Sequence, residues 1–147
     1  MHAEHPILVI DPYEPTRTSI ANVLHAAGYA VAPFAYEPAA SALEAARPSL
    51  IILELQRTRA DAALLQLDRL RHRDATRAIP IIVTSTDTCL LELLAAPLKH
   101  LNCRCFAKPF DIELLLVFVS RAVGPASQWS EPVELFEPVG SRIGSAL

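Results

Sequence analysis

Glycine is scarce in this chain: four among 147 residues, at Gly28, Gly124, Gly140 and Gly144. A dinucleotide-binding fold needs a glycine-rich turn after its first strand, and a phosphate-cradling P-loop needs one of its own. Here the first apolar segment runs straight into Asp11-Pro12-Tyr13-Glu14, which excludes both nucleotide readings. Cysteine is sparse as well. Cys89, Cys103 and Cys105 are an odd set with no metal-ligand spacing, Cys103 and Cys105 being expected on opposite faces of a strand, and all three read as reduced thiols. No apolar run reaches the roughly 18 residues of a membrane span, and the opening Met1-His2-Ala3-Glu4-His5-Pro6 lacks the basic start and apolar stretch of a signal peptide. The expectation is a cytoplasmic protein with no membrane partner. Excess positive charge is also missing: the net charge is −3, and the arginines between 57 and 77 alternate with acids, so no nucleic-acid partner is expected. Nor is there a histidine-plus-acid arrangement around a nucleophile. The chain is read as not an enzyme, with a flavodoxin-like cofactor-binding enzyme as a distant alternative.

What is present is largely apolar. Hydrophobic residues make up 52% of the chain and charged ones 20%, enough for one core-bearing domain and a short appendage. Leu50-Ile51-Ile52-Leu53 is an uninterrupted apolar run ending in Glu54. A strand with one wet face alternates, so this one is expected to be covered on both sides, as central parallel strands are. Ile7 to Ile10 repeats the pattern and ends in Asp11. Further strands are expected from 29 to 34, from 81 into Thr84-Ser85, and from 103 to 107, the last stopped by Lys108-Pro109. Helices are expected between them. One starts with Pro15 in its first turn, carries Ile20, Val23, Leu24 and Ala27 on one side and closes at Gly28. An alanine-rich one ends before Pro48. A third runs from 61 to 71 with Leu64, Leu67 and Leu70 inward. A fourth is capped by Asp87 and halted at 96 by Pro97, and a last, capped by Asp111, reaches about 123. Strand and helix alternate five times, which predicts an α/β fold: a flavodoxin-like, doubly wound, five-stranded parallel sheet in a three-layer sandwich. The domain is placed at 6–123. Residues 124–147 break the periodicity and are read as a C-terminal tail, with Trp129, Val133, Leu135 and Phe136 available to stick to something.

The strand ends bring Asp11, Glu54, Thr84-Ser85 and Lys108 to one edge of the sheet. Two carboxylates, a hydroxyl and an ammonium converge there as a phosphoryl or divalent-metal site requires. With Ile7-Leu8-Val9-Ile10-Asp11, Arg47-Pro48-Ser49-Leu50-Ile51-Ile52-Leu53-Glu54, Ile79-Pro80-Ile81-Ile82-Val83-Thr84-Ser85 and Phe106-Ala107-Lys108-Pro109-Phe110, residues 6 to 123 resemble a receiver domain of two-component response regulators. The resemblance implies roles position by position. Asp11 matches an acid that helps hold Mg²⁺, Gln56 stands where a backbone carbonyl completes the metal shell, Ser85 matches the hydroxyl that contacts the phosphoryl group, and Lys108 matches the lysine that pairs with phosphoacceptor or phosphate.

Three positions depart from the pattern. The phosphoacceptor aspartate is Glu54, whose extra C–C bond, about 1.5 Å, moves the carboxylate to where an incoming phosphoryl group would begin. The second acid is replaced by Pro12, so Mg²⁺ binding by Asp11, Glu54 and Gln56 is expected to be weak if it occurs at all. Cys105 takes the place of the aromatic residue whose rotation reports phosphorylation. Arg57 and Arg59, in the loop after Glu54, are candidates to reach back as a built-in cation, the alternative being that both are solvated. Glu54 itself reads either as half of a surviving salt bridge or as a one-charge mimic of the acyl phosphate. The expected function is a stand-alone, phosphorylation-independent pseudo-receiver that binds a protein partner, a histidine kinase or an output protein. The alternative is a weakly phosphorylated regulator with atypical chemistry. In the last helix Leu114, Val117 and Phe118 are left over once Ile112, Leu115, Leu116 and Val119 face the sheet. In receivers this helix, the fourth helix and the fifth strand form a dimer and output surface, so a homodimer through this face is expected, with the tail folding over it as the alternative.

Overall fold

The computed structural model describes residues 5–123 and 136–137. In chain order it contains β1 (Ile7–Ile10), α1 (Glu14–Ala26), β2 (Val31–Phe34), α2 (Ala40–Ala46), β3 (Leu50–Glu54), a 3₁₀ turn (Arg57–Arg59), α3 (Ala60–Arg71), β4 (Ile81–Ser85), α4 (Thr88–Leu93), α5 (Ala95–His100), β5 (Cys103–Ala107), α6 (Ile112–Ala122) and β6 (Phe136–Glu137). The sheet is parallel throughout in the order β2-β1-β3-β4-β5-β6. The five expected strands are all present. The sixth, unforeseen, is two residues long and pairs Cys105 with Phe136 and Phe106 with Glu137. Trp129, Val133 and Leu135 lie outside the described residues.

The uninterrupted apolar strands do what their composition requires. Alternate residues of β1, β3 and β4 go to opposite faces, and both faces are dry. Leu8, Ile10, Ile51, Leu53, Ile81 and Val83 pack under α2, α3, α4 and α5 through Leu43, Leu67, Leu70, Leu90, Leu91 and Leu98. Ile7, Val9, Leu50, Ile52 and Ile82 pack under α1 and α6 through Ile20, Leu24, Leu115 and Val119. β2 sits at the outer edge, where Pro33 interrupts the row of N–H donors that would invite another strand. Gly28 ends α1 with φ 97°, a conformation an L side chain resists. The alanine-rich helix stops as expected before Pro48, with Arg47 left-handed at φ 50°.

Three expectations need correcting. Pro97 does not halt a helix running to 96. The helix has already ended at Leu93, and Pro97 lies in the first turn of α5, where its missing N–H has no intrahelical partner to lose. Cys103 and Cys105 share one face, as residues two apart on a strand do, and both belong to the core under α3 to α5. Phe118 is not left over. It is 5% exposed, and its ring meets Phe106 edge-on at 5.1 Å between centroids, while Phe106 meets Phe110 in the same way at 5.7 Å. The stripe that α6 turns to the sheet is Leu115, Phe118, Val119 and Ala122, spaced i, i+3, i+4, i+7. Ile112, Leu114 and Leu116 are half-buried and Val117 is 49% exposed. On the outer edge of β5 lies β6, residues 136–137 of the stretch read as a tail.

Candidate functional site

β1 and β3, neighbours in the sheet, and β5, on the far side of β4, end at the same edge and deliver Asp11, Glu54 and Lys108 to one cleft. Asp11 is held at its backbone by two bonds: its N–H donates to the Phe34 carbonyl at 3.0 Å, and Arg17 Nη1 donates to its carbonyl at 2.8 Å. Its side-chain Oδ1 accepts the Tyr13 N–H at 2.9 Å. Glu54 is the last residue of β3 and lies opposite Thr84 in the β3–β4 register, so the Thr84 hydroxyl reaches Glu54 Oε1 at 3.1 Å. Lys108 leaves β5 with its N–H on the Ser85 carbonyl at 2.8 Å, and the bond to Pro109 is cis.

The Lys108 ammonium closes the group. Nζ is 2.7 Å from Asp11 Oδ2 and 2.8 Å from Glu54 Oε1, with all three side chains nearly out of solvent: 6% exposed for Lys108, 3% for Asp11 and 8% for Glu54. An ammonium has three donors and no acceptor, so two carboxylate oxygens are natural partners for a buried lysine. Burial raises the Glu54 carboxyl above its ordinary range, and the hydrogen bond and charge of Lys108 only partly oppose that. Three of the four carboxylate oxygens are thus engaged. Glu54 Oε2 has no hydrogen-bond partner among the described residues.

The remaining sequence candidates fall in different places. Gln56 lines the cleft beside Asp11, Glu54 and Lys108, together with Tyr13, Thr16, Thr86 and Pro109, around a volume of about 400 Å³. Ser85 does not line it. Its hydroxyl donates to the Leu55 carbonyl at 2.7 Å and accepts the Asp87 N–H at 3.0 Å, fastening the loop after β3 to the loop after β4. Cys105 is buried among aliphatic side chains, and burial pushes its thiol up to about 12. Neither arginine reaches back. Arg57 makes a two-pronged pair with Asp87, Nε to Oδ2 at 2.9 Å and Nη2 to Oδ1 at 3.0 Å, and Asp87 also caps α4 by accepting from Leu90 N–H at 3.0 Å. Arg59 pairs with Glu37 at 3.3 Å and lies over the Tyr36 ring, 4.7 Å from its centroid. The built-in cation is Lys108. Thr84 rather than Ser85 supplies the hydroxyl on Glu54, and the strand register that decides between neighbours cannot be read from one sequence.

No family model matches the sequence, and no curated protein does. Solved structures do. A putative response regulator from Chloroflexus aurantiacus superposes with a TM-score of 0.69 at 22% identity, over 82% of this chain and 98% of that one. A chemotaxis protein of Vibrio cholerae gives 0.67 at 23%, over 82% and 99%. The receiver domain of a sensor histidine kinase from Pseudomonas aeruginosa, which holds a magnesium ion in its active-site cleft, gives 0.63 at 20%, over 84% and 100%. At these identities the likeness establishes the fold, which is that of response-regulator receiver domains. Among the described residues no helix is long and apolar enough to cross a membrane.

Proposed function

We propose that this chain is a pseudo-receiver: a signalling module of the two-component kind that works by binding protein partners without taking up a phosphoryl group. The observation that carries the reading is the Lys108 ammonium seated between Asp11 Oδ2 and Glu54 Oε1. Phosphoryl transfer to a carboxylate needs an oxygen free for in-line attack and a cation to gather the phosphate oxygens. Glu54 keeps one oxygen, Oε2, without a protein donor among the described residues, but it stands one bond further from the backbone than an aspartate's would, and the other oxygen is bound by Lys108 and Thr84. Mg²⁺ demands near-octahedral oxygen ligands. Pro12 offers none, both Asp11 oxygens are engaged, the Gln56 carbonyl already accepts the Arg59 N–H at 3.0 Å, and only Glu54 Oε2 is left without a partner among the described residues, so the residues do not fit the ion. Glu54 is better read as one arm of an ion triad than as an acyl-phosphate mimic, because Lys108 and the Thr84 hydroxyl already bind the carboxylate that a mimic must display.

The partners of such a module are proteins, a histidine kinase or an output protein. A net charge of −3 speaks against nucleic acid, and a cytoplasmic location goes with this role. A second copy is one candidate partner, on a face now resting on exposed Leu93 of α4 and Val117 of α6, without Phe118. The test is a phosphate-affinity gel after incubation with acetyl phosphate and Mg²⁺, alongside a variant carrying Pro12→Asp and Glu54→Asp. The wild type is expected to give no retarded band. A retarded wild-type band overturns the proposal in favour of a weakly phosphorylated regulator.

A further inference from the structure

Resting on the pseudo-receiver reading, we infer that the cleft is a docking socket for an arginine side chain presented by a partner protein, received on Glu54 Oε2 against the Tyr13 ring. The first observation is the idle oxygen. Glu54 is 8% exposed at its side chain, it lines the cleft, and Oε2 has no partner among the described residues. A carboxylate oxygen on a cleft wall that no protein group has claimed is open to a donor brought by a partner. The second is charge. Two carboxylates share a single ammonium, so the triad carries one uncompensated negative charge that Lys108, already bound to both, does not satisfy. Arg17 bonds the Asp11 backbone carbonyl and does not line the cleft.

The third observation is the wall. Tyr13 is 65% exposed and forms one side of a cleft whose other polar edges are Thr16, Gln56 and Thr86. A floor that accepts hydrogen bonds beside an exposed aromatic face suits a planar guanidinium, which donates in its plane and stacks on its faces. The same edge of the sheet already shows the pairing, with Arg59 over Tyr36 and bonded to Glu37. A hydrated Mg²⁺ would need the oxygens that Lys108 occupies. A guanidinium needs only the one left over and leaves the triad intact. The cleft, about 400 Å³, admits a long side chain but not a folded segment.

The probe is N-acetyl-L-argininamide, titrated into the ¹⁵N-labelled full chain, with N-acetyl-L-citrullinamide as its neutral isostere. Arginine is expected to shift the Tyr13, Glu54, Gln56 and Thr84 amides saturably in the millimolar range, and citrulline at least tenfold more weakly. Glu54→Gln is expected to weaken binding tenfold or more. Tyr13→Ala, which leaves the triad untouched, is expected to weaken it severalfold, and it covers the case in which Glu54→Gln disturbs the fold. Unmoved amides at tens of millimolar, or equal shifts with both probes, overturn the inference. A parallel titration with Mg²⁺ and beryllofluoride separates the two proposals. Shifts with beryllofluoride condemn the pseudo-receiver reading, whereas silence there with no arginine binding condemns the socket alone.

Discussion

Replacing Lys108 by methionine keeps most of the side-chain volume and removes the charge that two carboxylates share. Asp11 Oδ2 and Glu54 Oε1 both lie within 2.8 Å of one nitrogen, so their separation is about 5.5 Å at most. At an effective dielectric constant of about 20 their bare repulsion is about 3 kcal/mol, and breaking a buried pair by removing one partner costs roughly 3 to 5 kcal/mol when burial is complete. The cleft admits some water, which points to the lower end. Urea denaturation followed by circular dichroism is therefore expected to show Lys108→Met about 3 kcal/mol less stable at neutral pH, with the melting temperature lowered by roughly 10 °C. The sign with pH follows from Glu54. Its folded carboxyl holds a proton more tightly than the ordinary value of 4.5, so its contribution to stability is complete below that value and is lost as pH rises through the raised folded one. Without Lys108 only the Thr84 hydrogen bond opposes the rise, so the deficit of the variant is expected to shrink as the pH is lowered towards 5. Glu54→Gln in the Lys108→Met background is expected to restore part of the loss. A deficit under about 1 kcal/mol, or none recovered by the second change, would refute the triad as a source of stability.

Other consequences of the packing can be measured directly. Phe118→Ala should cost about 3 to 5 kcal/mol in the same denaturation assay, whereas Val117→Glu, on the exposed side of α6, should stay within about 0.5 kcal/mol and, if a second copy binds there, should shift a sedimentation profile from dimer to monomer. Arg71 donates to the carbonyls of Arg77, Ile79, Leu101 and Asn102, so Arg71→Met should cost about 1 to 3 kcal/mol and speed hydrogen exchange in the 76–79 loop; unchanged exchange would argue against the staple. Of the three thiols only exposed Cys89 should react promptly with Ellman's reagent at neutral pH, because burial holds Cys103 at about 11 and Cys105 at about 12. More than one equivalent released from the native protein would contradict the burial.

The fold was legible because its strongest signals are local. Apolar runs such as Leu50 to Leu53 require two covered faces whatever surrounds them, and the alternation of such runs with helical periodicity leaves little choice of architecture. The errors arose where local signals were ambiguous. In α6 nearly every position is apolar, so several stripes fit the helical period, and only the meeting of Phe118 with Phe106 selects the one that faces the sheet. At Pro97 the residue type marks a helix boundary but not which helix it bounds. β6 is two residues long and has no periodicity to read.

The site shows the same division one level up. That Asp11, Glu54 and Lys108 converge was legible, since each follows an apolar strand of one parallel sheet and must emerge at the same edge. Which atoms meet was not, because that depends on register and on the reach of side chains. Thr84 faces Glu54 because the β3–β4 register sets them opposite, and that same register turns Ser85 away to tie two loops together. Arg57 and Arg59 are long and flexible, and each finds an acid nearer than the cleft, Asp87 for one and Glu37 for the other. Lys108 was thus left to bridge both carboxylates alone. One ammonium with three donors cannot satisfy four carboxylate oxygens, and the oxygen it leaves unsatisfied, Glu54 Oε2, is the point at which the chemistry of a partner can be tested.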